Sequence, residues 1–77
     1  MHAFTAAHRS LPLGSCVEVK RLSNELTVTV RVNDRGPFDD DQRRIIDVSF
    51  AAAEKLELIG SGTATVELTA LPADTRC

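Results

Sequence analysis

Residues 26–38 run Leu26-Thr27-Val28-Thr29-Val30-Arg31-Val32-Asn33-Asp34-Arg35-Gly36-Pro37-Phe38. The first seven alternate strictly, with Leu26, Val28, Val30 and Val32 on one face and Thr27, Thr29 and Arg31 on the other. A period of two marks a strand with one buried face. The strand runs directly into a cluster of turn formers: Asn33, Asp34, Gly36 and Pro37. Asp34 therefore stands at a strand end, where a rigid scaffold presents side chains. Two readings compete there. Asn33 and Asp34 can simply build an Asx turn with Gly36 at positive φ, or Asp34 can be a presented functional carboxylate.

Working outward, the same alternation recurs in Val17-Glu18-Val19-Lys20 and in Ala64-Thr65-Val66-Glu67-Leu68-Thr69-Ala70. Ile45-Ile46, between Arg44 and Asp47, reads as a short buried strand. Ser23-Asn24-Glu25 reads as a hairpin turn, although it lacks the favoured Asn-Gly pair. One helix is expected over Phe50–Ile59, capped by Asp47 or Ser49 and ended by Gly60. Its apolar stripe is Phe50, Ala53, Leu56 and Ile59. Gly14–Val19 and Gly62–Leu68 echo each other, each a glycine followed by an apolar-Glu-apolar triplet in an alternating strand. Several short strands and one helix point to a small barrel or an α+β sandwich.

A chain of 77 residues is one domain, burying only ~60% of the surface its unfolded form exposes. Lys and Arg number 9 against 11 Asp and Glu, and this near-balance argues against a nucleic-acid binder. No apolar run approaches the ~20 residues that span a bilayer. The start lacks the apolar stretch of a secretory signal, although Leu13-Gly14-Ser15-Cys16 superficially resembles a lipoprotein processing site. The chain is then either cytoplasmic or a mature piece of an exported protein. Cys16 and Cys77 cannot alone make a structural zinc site, which takes four ligands. They form either one disulfide closing a long loop or two independent thiols.

His8 is the second candidate: it is either an exposed or hydrogen-bonded structural group, or a histidine facing Asp34, which would orient that carboxylate and move its pKa up or down with charge and burial. Asp39-Asp40-Asp41 is a solvated loop rather than a metal site, since its carboxylates lack EF-hand spacing. Neither a phosphate-cradling glycine loop, a nucleophile elbow nor a zincin motif occurs. No cofactor and no metal is expected.

Three stretches taken together resemble a known family. They are Thr5-Ala6-Ala7-His8-Arg9-Ser10-Leu11-Pro12-Leu13-Gly14, then Val30 to Phe38, then Arg44-Ile45-Ile46-Asp47-Val48-Ser49 with Ala51-Ala52-Ala53. In this order and spacing they resemble the rare lipoprotein A family from about Met1 to Leu71. The resemblance implies a mainly β fold, a small six-stranded double-psi β-barrel with one short helix, shared with barwins and expansins. In the family a first strand and a Gly-Glu-x-Phe-Asp segment precede the Thr-Ala-Ala-His motif. Met1-His2-Ala3-Phe4 corresponds to the middle of that pattern, so residues 1–71 are expected as a barrel domain without its first strand, and 72–77 as a tail.

The resemblance also implies lytic transglycosylase action on peptidoglycan strands poor in stem peptides, in the bacterial cell envelope (periplasm, outer-membrane lipoprotein or secreted). Position by position, the family's catalytic Asp falls on Asp34 and its essential His on His8. Arg35, Asn33 and Thr5 are expected to bind substrate, and Asp47 to cap the helix. Asp34 would protonate the leaving oxygen of the β-1,4 bond between N-acetylmuramic acid and N-acetylglucosamine. It would then take a proton back as the muramoyl 6-hydroxyl closes a 1,6-anhydro ring. No hydrolytic water is used, so a glycosidase carboxylate pair is not required. The alternatives are a non-catalytic, expansin-like glycan-binding module and a structural or septal-protein-binding domain. A barrel open at one edge would also favour a homodimer.

Overall fold

A computed structural model describes residues 4–36, 45–60 and 64–77. Five strands and one helix follow in order: β1 (Thr5–His8), β2 (Cys16–Arg21), β3 (Thr27–Asp34), β4 (Ile46–Val48), α1 (Phe50–Lys55) and β5 (Val66–Ala70). The strands form one curled sheet in the order β4-β1-β3-β2-β5. Only β1 and β3 pair in parallel; the other three pairings are antiparallel. Where a six-stranded barrel was implied, five strands stand among the described residues. The Asp39–Asp41 run, Pro37-Phe38, Arg43, Arg44, Met1–Ala3 and the Gly62-Thr63 half of the internal echo lie outside them.

The three alternating segments become β2, β3 and β5. Val17, Val19, Val28, Val30 and Val32 are all buried, and with Ala6, Ala52, Leu56 and Leu58 they form the core. The 23–25 turn also forms where expected. Asn24 Oδ1 accepts from the Leu26 amide at 3.0 Å, and Glu25 takes the left-handed position at φ 61°. Strand β1 carries little strand propensity in Thr-Ala-Ala-His. It forms because its backbone fills the gap between β3 and β4, with partners on both sides.

Three expectations need correction. Ile45 is exposed and Ile46 only half-buried, because β4 is an edge strand rather than a buried one. The helix ends at Lys55, not Ile59, so its stripe is re-phased: Ala51, Ala52 and Leu56 are buried, while Phe50 and Ile59 are exposed. Asp47 does not cap it. Asp47 stands within β4, and Ser49 is the N-cap, its Oγ accepting from the Ala52 amide at 3.4 Å.

Cys16 and Cys77 are joined in a disulfide, with Cα atoms 6.0 Å apart. Residues 72–77 are thereby fixed to the sheet. Arg31 Nη2 donates to the Cys77 carbonyl at 3.0 Å, and the Leu71 amide to the Cys16 carbonyl at 3.1 Å.

Candidate active site

Asp34 owes its presentation to an irregularity in β3. Along this strand Val28, Val30 and Val32 point inward, so Asp34 would be the next inward residue. The β1–β3 register instead runs Thr5↔Arg31, Ala6↔Val32, Ala7↔Asp34, skipping Asn33. One extra residue on β3 is a β-bulge, which re-aims the side chains beyond it. Asn33 and Asp34 are both exposed as a result. Asp34 Oδ1 accepts from the Arg35 amide at 2.8 Å, and Gly36 follows at φ 146°, so the turn chemistry and the exposed carboxylate coexist.

His8 ends β1, one residue beyond the Ala7 that faces Asp34 across the bulge, and opposite Ile46 of β4. The chain then turns sharply, and the amides of Ser10 and Leu11 both donate to His8 Nδ1, at 3.1 and 3.0 Å. Partial burial, then the cations Arg35 and Arg9, hold the imidazole pKa below its usual 6.5. Arg35 reaches back from the end of β3, and its Nη1 donates to the carbonyls of His8 at 3.2 Å and Leu11 at 2.7 Å. His8 and Asp34 are thus brought to adjacent strand ends and tied through the backbone by Arg35.

Of the remaining candidates, Asn33 is the exposed bulge residue beside Asp34. Thr5 lies at the other end of β1, ~10 Å from His8 at ~3.3 Å per residue. Its amide donates to Ser49 Oγ at 3.2 Å and its carbonyl accepts from the Ser49 amide at 2.8 Å, tying β1 to the helix start. The structure adds Asp47, read from the sequence as a helix cap, to these candidates. It pairs with Ala7 from the β4 side and is exposed. Asp34 and Asp47 therefore flank Ala7, their Cα atoms about two strand spacings, ~10 Å, apart. The signal was there in Ile45-Ile46-Asp47-Val48, an alternation that seats an aspartate within a strand rather than before a helix. Among the described residues no three His, Cys, Asp or Glu side chains converge to hold a metal ion.

A curled sheet with one parallel pair, carrying His8 and Asp34 at the ends of β1 and β3 and Asp47 within the neighbouring β4, places the chain in the double-psi β-barrel class. The family model described as "Lytic transglycolase" matches residues 1–68. The chain belongs to that family. It is 56% identical over 68 residues to the "Endolytic peptidoglycan transglycosylase RlpA" of Neisseria meningitidis, covering 88% of this chain and 28% of the relative. The protein of the same name from Pseudomonas aeruginosa is 54% identical over 68 residues, covering 88% of this chain and 19% of the relative. That from Helicobacter pylori is 49% identical over 71 residues, covering 92% and 22%. The chain spans less than a third of the length of these curated relatives.

Proposed function

We propose that this domain cleaves peptidoglycan glycan strands as an endolytic transglycosylase, with Asp34 as the proton-transfer group. The observation that carries the reading is the β3 bulge. It lifts Asp34 off an inward-facing position and exposes it at the end of β3, opposite Ala7, the residue before His8. The activity for which the relatives are named supports the substrate class. The Cys16–Cys77 disulfide supports an oxidising compartment such as the bacterial envelope. No helix among the described residues is long and apolar enough to cross a membrane.

In this reading a glycan strand lies over the β1–β3–β4 strand ends and shields Asp34 from water, supplying the burial a proton donor needs. Asp34 protonates the oxygen that leaves C1 of N-acetylmuramic acid, breaking the bond to N-acetylglucosamine. The 6-hydroxyl of the same muramoyl residue bonds to C1, and its proton returns to Asp34. One proton is given and one recovered, no water is consumed, and the product carries a 1,6-anhydro ring. His8 and Asn33 contact the sugar beside the cleaved bond, and Asp47 stands across Ala7 as a second carboxylate.

Digestion of stem-peptide-free glycan strands, with mass spectrometry of the soluble products, tests the proposal. Anhydro-ended sugars are expected from the wild type, and at least a hundredfold less from Asp34→Asn. Hydrolytic reducing ends would overturn the lytic step. Unproductive sedimentation of folded wild-type domain with the glycan would favour a binding module instead.

A further inference from the structure

The atom His8 turns toward its own backbone decides what it can do. Its Nδ1 accepts two hydrogen bonds, from the Ser10 and Leu11 amides. A ring nitrogen that receives two N–H donors carries no proton, so the single proton of the neutral ring is on Nε2. Protonating Nδ1 would set a third N–H against those two. At neutral pH His8 is therefore a neutral Nε2–H donor, which gives a hydrogen bond from Nε2 and takes a proton on Nδ1 only by giving up the two amide bonds.

That state depends on the 8–11 turn keeping its shape, and one side chain spans the turn. Arg35 Nη1 bonds the carbonyls at both of its ends, those of His8 and Leu11. Bonds from a cation to carbonyls are stronger than neutral ones. The guanidinium nitrogen that makes them is committed to the backbone rather than offered to a ligand.

We infer that Arg35 is a positioning residue, which closes the 8–11 turn and so holds His8 as a fixed Nε2–H donor, rather than a substrate-binding cation. The charged groups around the ring agree with this assignment. Arg35 at the end of β3 and Arg9 in the turn are cations that oppose an imidazolium. Asp34 and Asp47, on the strands either side of β1, stand opposite Ala7, whereas the β4 residue opposite His8 is the uncharged Ile46. The tautomer is independent of the lytic reading; only its effect on turnover rests on that reading.

Long-range proton–nitrogen spectra of the ¹⁵N-labelled domain, in a His2→Gln background so that one imidazole is read, test the first link. The wild type is expected to show an unprotonated Nδ1 and a protonated Nε2 at neutral pH. A protonated Nδ1 there would overturn the assignment on the wild type alone, whatever the variants do. Arg35→Ala is expected to mix the two tautomers and to bring the His8 titration up toward the ordinary value. Arg35→Lys keeps the charge without the guanidinium fork, and is expected to restore the titration in part and the tautomer incompletely. An unaltered His8 spectrum in Arg35→Ala would overturn the positioning role.

Turnover on glycan strands supplies the second link. Arg35→Ala is expected to lower kcat about tenfold or more, and to cost nothing further in a His8→Ala background, because both changes remove one device. A further loss in that background, expressed in KM, would mark Arg35 as a substrate contact and sink the proposal even if the domain is a lytic enzyme. The spectra need no turnover, so they stand if the lytic reading fails.

Discussion

Asp47 takes its place from register rather than from its neighbours in sequence. Before Ser49 and an alanine run it looks like a helix cap, yet β4 pairs it with Ala7 and leaves it exposed, with Asp34 on the far side of the same alanine. An exposed strand aspartate that caps nothing contributes little to stability, so Asp47→Asn is expected to shift Tm by no more than a degree or two. If the pair of carboxylates serves the glycan reaction, the same change lowers turnover on the order of tenfold or more. Unchanged turnover would reduce Asp47 to a surface group. His8 gives a residue-scale prediction in pH. Its folded pKa lies below 6.5 because of burial and then of Arg35 and Arg9. The neutral ring is therefore favoured by folding, and its contribution is fully present above the unfolded value of ~6.5. That contribution is lost as pH falls through the folded value. In melting curves from pH 7 to 4.5, the advantage of wild type over His8→Ala is expected to shrink toward acid. A constant gap would mean that the two amide bonds to Nδ1 carry no stability.

At the scale of elements, the helix is the instructive case. Glu57 has φ 59°, the Leu58 amide donates to the Ala53 carbonyl at 2.8 Å, and the Glu57 amide to Glu54 at 3.0 Å. This is a Schellman ending, whose left-handed position is usually glycine. The sequence shows glutamate there, and the nearest glycine is Gly60, which is why the helix reads four residues too long. Arg21 Nη1 reinforces the end by donating to the carbonyls of Leu56 at 3.1 Å and Glu57 at 2.7 Å. Relieving the strain at the left-handed position, Glu57→Gly is expected to stabilise the domain by up to ~1 kcal/mol, and Ser49→Ala to destabilise it by ~1 kcal/mol through loss of the N-cap. Denaturant midpoints of the two variants check both signs, and a destabilised Glu57→Gly would show that its side chain does more than tolerate the turn. Strands β2, β3 and β5 were legible because alternation reports burial directly. Strand β1 and the bulge were not, because a parallel partner and a skipped residue are properties of two segments at once. Asp34 and His8 were legible as candidates from their setting and through family likeness, whereas the bonds from Arg35 to the His8 and Leu11 carbonyls were not, because a guanidinium bound to backbone and one awaiting substrate look alike in sequence.

For the molecule as a whole, the 61-residue separation of Cys16 and Cys77 means that one covalent bond encloses nearly the entire fold. In the chain-entropy model a loop of that size stabilises by about 4 kcal/mol. A domain of this length has a total stability of about 4–12 kcal/mol, so the bond decides whether the sheet is well folded or marginal. Near 4–8 °C per kcal/mol for small domains, reduction is expected to lower Tm on the order of 15–30 °C. The loss should fall on the fold rather than on the chemistry. His8, Asp34, Arg35 and Asp47 belong to β1, β3, β4 and their adjoining turns, and none of their hydrogen bonds passes through either cysteine. A Cys16→Ser/Cys77→Ser double variant, assayed well below its own Tm, is therefore expected to keep most of the turnover proposed for the wild type while melting far earlier than the oxidised protein. Comparable melting would show that the contacts of Cys77 and Leu71 hold the C-terminal residues without the bond. Lost turnover in the cold, folded variant would show that the covalent tie reaches the site through Arg31, which pairs with Cys16 on one side and Thr5 on the other.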